Sequence, residues 1–120
     1  MSLPYPPGWQ QNVPKLDESK FSGTWRSFRV DYLAAYKPSE SYDKFEITLA
    51  SDHTGQVRMR TLIPMTVKMF WEQVRDFNSW KIEARKAGVP GFQYLHHITF
   101  EGDELIVEDL NTFRYHCRRV

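Results

Sequence analysis

Residues 66–87 read Thr66-Val67-Lys68-Met69-Phe70-Trp71-Glu72-Gln73-Val74-Arg75-Asp76-Phe77-Asn78-Ser79-Trp80-Lys81-Ile82-Glu83-Ala84-Arg85-Lys86-Ala87, and the architecture turns on them. Apolar residues fall at Val67, Phe70, Val74 and Phe77, then at Trp80, Ala84 and Ala87. Both sets have the i, i+3, i+4 spacing of an amphipathic helix. Thr66 is a suitable cap, Glu72 lies in an early turn, and Arg85-Lys86 close the last one. Gly88 and Pro90 stop the pattern. A helix over 67–87 would span roughly 32 Å, about the width of a domain this size. A bend is expected at Asn78-Ser79, whose side chains compete for backbone hydrogen bonds.

Strands flank this segment on both sides. From Thr24 to Tyr32, Arg26, Phe28, Val30 and Tyr32 share one face by strict alternation. Phe45, Ile47 and Leu49 alternate with Lys44, Glu46 and Thr48. After the Asp52-His53-Thr54-Gly55 turn, Val57, Met59 and Thr61 alternate with Arg58, Arg60 and Leu62. Beyond the helix, Phe92, Tyr94, His96, Ile98 and Phe100 share a face. Gly102-Asp103 is a tight turn, and Leu105 and Val107 alternate with Ile106 and Glu108. Phe113, Tyr115 and Cys117 then oppose Arg114, His116 and Arg118.

Lys20-Phe21-Ser22-Gly23-Thr24-Trp25, preceded by Leu16-Asp17-Glu18, resembles the opening of the calycins, the lipocalins and fatty-acid-binding proteins. There a short helical turn feeds a Gly-x-Trp on the first barrel strand. The end is similar too: Asp103 to Val107, a turn, then Phe113 to Val120. The resemblance covers about forty residues at the two ends. It implies that Arg118 or Arg119 stacks on Trp25, a cation–π contact of about 0.5–2 kcal/mol. An eight-stranded barrel needs eight strands, whereas six are legible here around a helix. The expected fold is therefore α+β. A curved antiparallel sheet, in the order βββ-α-βββ, packs around one long helix or approaches a barrel.

At 120 residues the chain fits one domain. Pro4, Pro6, Pro7 and Pro14 make residues 1–14 an extended arm, leaving 15–120 as the domain. A net charge of +1 argues against steering toward nucleic acid or an anionic membrane. The single cysteine, Cys117, excludes an internal disulfide. No apolar run reaches the ~18 residues of a membrane span, and no basic-then-apolar leader opens the chain. The cytoplasm is the expected location.

The chemistry-bearing residues are few. His96 sits between Tyr94 and Ile98 on an inward face. It is either a pocket acid/base or a core histidine bonded to a neighbour. His97 faces away, so the two cannot chelate one metal. Cys117 has no cysteine-enzyme signature around it and reads as a buried thiol. Arg58 and Arg60, or Arg114, His116 and Arg118, make either a basic patch or a solvated face balanced by acids. No phosphate loop or zinc motif is present, and no cofactor, metal or catalytic residue is expected.

Aromatics form 15% of the chain and concentrate at inward-alternating positions. The function expected is binding of an apolar or aromatic small molecule in a pocket between sheet and helix. Phe28, Tyr32, Phe45, Phe70, Phe77, Tyr94, His96 and Tyr115 would line it. Two alternatives stay open. One is a protein-interaction module or homodimer using the Pro-rich arm and a sheet edge. The other is a small enzyme with His96 as proton-transfer group.

Overall fold

The computed structural model describes residues 13–88, 95–109 and 112–120. Nine strands form one antiparallel sheet: β1 (Gly23–Tyr32), β2 (Glu40–Ser41), β3 (Phe45–Leu49), β4 (Thr54–Met59), β5 (Met65–Asp76), β6 (Ser79–Lys86), β7 (His96–Glu101), β8 (Glu104–Asp109) and β9 (Phe113–Arg119). Neighbours follow chain order from β3 to β9, and β1 pairs with both β3 and β9. The sheet thereby closes into an eight-stranded barrel, with β2 added outside the far end of β1. Most of the expected arm, residues 1–12, lies outside the described residues.

The expected long helix is absent, and α+β is corrected to an all-β barrel. Residues 67–87 instead form the β5–β6 hairpin, paired from Met69↔Lys86 to Asp76↔Ser79. The helical bend expected at Asn78-Ser79 is likewise corrected: the chain reverses there, and Ser79 already belongs to β6. Phe77 and Asn78 form the hairpin loop, and Phe77 takes a φ of 57°. The physical reason is a period of two that the helical pattern hides. Met69, Trp71, Ile82 and Ala84 are all buried against the barrel interior. A helix would have put Met69 and Ile82 off its apolar stripes. With the helix gone, a pocket between sheet and helix does not exist.

A bulge sets the phase of β1. Its pairing with β9 shifts register between Ser27 and Arg29, so Phe28 is the extra residue. Trp25, Ser27 and Val30 are buried inside, whereas Phe28 sits outside with the Arg118 guanidinium 3.8 Å over its ring. Strict alternation had placed Phe28 with Val30.

The two ends of the barrel differ. At the closed end, Asp17 caps a 3₁₀ turn over Glu18–Lys20 by accepting from the Ser19 N–H. Phe21, Trp25 and Phe100 fill the interior there, with ring centroids 4.7 Å and 5.6 Å from Phe100. Segment 13–20 straps across this end. The Gln73 side chain bonds both the N–H and the carbonyl of Leu16, at 2.8 and 2.9 Å. The Trp80 indole N–H donates to the Val13 carbonyl at 3.1 Å. At the other end, called the mouth, the β4–β5 turn exposes Leu62 and Ile63.

Candidate functional site

An eight-stranded barrel is just wide enough for its own side chains or one small ligand. The rings at the closed end use that space. Toward the mouth the wall changes to valines and methionines, and a cavity of about 220 Å³ remains. Phe45, Met59, Met69, His96, Asp109 and Tyr115 define its main surfaces, completed by Val57, Met65, Val67 and Phe113.

Each side chain is aimed by strand register. Phe45 begins β3 and stacks flat on Tyr115 of β9, 4.1 Å between centroids. Tyr115 lies beside Val30 in the β1–β9 ladder, on the mouth side of the β1 bulge. Burial pushes the Tyr115 hydroxyl well above its usual range, and the neighbouring Tyr42, Asp109, Cys117 and Tyr32 add to this. The phenol therefore stays protonated at neutral pH. His96 opens β7, paired with Ala84 on one side and Asp109 on the other. It is buried, with its ring 6.0 Å from Phe45. His97 faces outward, 3.9 Å from the Glu83 carboxylate.

The expected pocket residues separate into groups. Phe45, His96 and Tyr115 come together on the cavity wall. Tyr32 stands at the rim, edge-on to Phe113 at 5.8 Å, and its hydroxyl donates to Glu40. Phe28 and Phe70 lie on the outer wall, and Phe77 lies in the turn at the closed end. Tyr94 falls outside the described residues. The sequence reading missed the methionine wall, Val57, Val67, Asp109 and Phe113 as lining. Alternation of Val57 with Met59, and of Phe113 with Tyr115, was the available signal.

Cys117 is fully buried below Tyr115, and burial pushes its thiol up to about 12. It is an unreactive core group. Of the two arginine faces, the one on β9 is paired with acids at two positions. Arg114 meets Glu108 at 2.7 Å, and His116 meets Asp31 at 2.7 Å. Burial alone would raise Asp31, but the Ser39 hydroxyl, His116 and Arg29 outweigh it and hold the carboxyl below its ordinary value. Among the described residues, no group of three or more His, Cys, Asp or Glu side chains is arranged to hold a metal ion.

No protein-family model, no curated protein and no solved structure matches the chain.

Proposed function

We propose that the chain is a calycin-like binding protein whose barrel holds one small apolar or aromatic molecule near its mouth. The observation that carries this is the 220 Å³ cavity beside His96, walled by methionines, valines and stacked rings. Methionines adapt to irregular guests, and a few polar groups among apolar walls are the usual make-up of ligand sites. The calycin part rests on the eight-stranded barrel together with the 3₁₀ turn, Gly23, Trp25 and Arg119. Outer-wall pairs such as Arg26–Glu46 and Arg85–Glu72 balance charge there. This supports a small molecule rather than a nucleic acid as partner.

The test is titration with neutral one- and two-ring fluorophores. One saturable site is expected, weakened at least tenfold in Val57→Phe, which fills the cavity. Absence of any saturable binding would overturn the proposal. One observation favours a second reading. His96 and Tyr115 share the wall, so proton transfer to a bound ring is chemically possible. Turnover that disappears in His96→Gln would establish it. The sheet-edge part of the interaction-module reading has less support, since among the described residues barrel closure leaves only Glu40–Ser41 beyond the ring of paired strands.

A further inference from the structure

The cavity has a charge character that its apolar walls conceal. Sixteen Lys and Arg residues belong to the chain, and all of them lie among the described residues. None lines the cavity. Among the described residues, the polar side chains on its wall are those of His96, Asp109 and Tyr115. Register brings them together: Asp109 is the cross-strand partner of both His96 and Phe113. The β8–β9 turn is closed by the Asp109 backbone, whose carbonyl accepts the Thr112 N–H at 2.7 Å. Its carboxylate is not what closes that turn, and it lies on the cavity wall.

A carboxylate guest would find no lysine or arginine here and would face Asp109. Burying an unpaired charge beside a like charge is strongly unfavourable. An ammonium guest meets the opposite situation. Asp109 supplies the counter-charge, the Tyr115 oxygen accepts a hydrogen bond, and the ring faces of Phe45 and Phe113 attract a cation. Size narrows the class further. A cavity of about 150 Å³ holds benzene, so 220 Å³ suits one or two fused rings with a short tail.

Resting on the binding reading above, we infer that the guest is a one- or two-ring aromatic amine, its ring against the methionine wall and its amine at the Asp109–His96 corner. A fatty-acid carboxylate is the head group this cavity disfavours.

Three ligands of nearly one shape test it by calorimetry on the full chain: tryptamine, neutral 3-ethylindole and indole-3-acetate. Tryptamine is expected to bind at least tenfold more tightly than 3-ethylindole. Indole-3-acetate is expected to bind at least tenfold more weakly than 3-ethylindole. In Asp109→Asn the amine's advantage should fall to within threefold. Equal affinity for amine and neutral ligand, or tightest binding of the acid, overturns the amine inference while the cavity reading stands. If none of the three binds and no neutral fluorophore saturates, both fall. Should Asp109→Asn fail to fold, the ranking of the three ligands on the unaltered chain decides alone.

Discussion

The Arg119 guanidinium lies 4.3 Å over the Trp25 ring and joins the two ends of the chain across the closed end of the barrel. Its two terminal nitrogens donate to the carbonyls of Ser22 at 2.6 Å and Lys20 at 2.9 Å. The Trp25 indole N–H donates to the Phe21 carbonyl at 2.9 Å. Of the two arginines that the resemblance allowed, Arg119 is the one that stacks. Arg118 covers Phe28 outside.

Gly23 makes room for this stack. Its φ is +132°, and a Cβ there would sit 2.3 Å from an Arg119 nitrogen. Arg119→Ala should lose about 1–3 kcal/mol from the stack and its charged hydrogen bonds. Gly23→Ala should cost at least as much in the native background and less once Arg119 is gone. A coupling of about 1 kcal/mol is expected from a double-mutant cycle in urea. Strict additivity would mean that Gly23 serves only its own backbone.

Gly55 is constrained differently. A Cβ there would lie 2.3 Å from the Thr48 carbonyl oxygen, on the backbone of the paired strand. That atom cannot swing aside, so Gly55→Ala should force β3 and β4 apart and cost about 2–3 kcal/mol. Gly102 offers the contrast. Its φ is +64° with nothing within 4 Å of a Cβ. Gly102→Ala should therefore cost only the left-handed backbone penalty, about 1–2 kcal/mol. Denaturation midpoints of the two variants rank the effects.

Glu18 ties the strap to the barrel wall through His53 at 2.7 Å and Gln73 at 3.0 Å. The His53 hydrogen bond, then that of Gln73, holds its carboxyl below the usual 4.5. A carboxyl lowered on folding stabilises fully above its unfolded value, and the gain is lost as pH falls through the folded one. Glu18→Gln should therefore melt at a lower temperature than the native chain at pH 7. The gap should close as pH falls below about 4.5. Solvent screening limits the neutral-pH difference to about 1 kcal/mol. A gap that persists unchanged to pH 3 would assign the effect to packing rather than charge.

How much of this was legible depended on the residue. Phe45, Ile47 and Leu49 alternate without interruption, and their strand is where the alternation put it. Gly23 and Trp25 marked the barrel start because a close approach and a large capping ring are chemical requirements of that position. Phe28 misled because a bulge leaves no mark in a run where every residue suits a strand. The largest error came from a coincidence of spacing. Four residues are about one helical turn and also two strand repeats. Val67 with Trp71, and Trp80 with Ala84, therefore satisfy both periods. What separated them was the burial of Met69 and Ile82 and the density of β-branched and aromatic residues. The cavity was legible only through Phe45, His96 and Tyr115; Met69 was hidden because its strand lies in the segment with helical spacing.

The β5–β6 turn gives a test of the same point in solution. Phe77 is exposed and holds a φ of 57°, which a bulky side chain adopts at a cost. In the two-residue turn of a hairpin, glycine takes such a conformation without that cost. Phe77→Gly should therefore stabilise the barrel by about 1 kcal/mol. In the interior of a helix the same change would destabilise by a similar amount, since glycine is among the poorest helix formers. The sign of the shift in the urea midpoint thus distinguishes the two structures of residues 67–87. A lower midpoint in Phe77→Gly would contradict the hairpin.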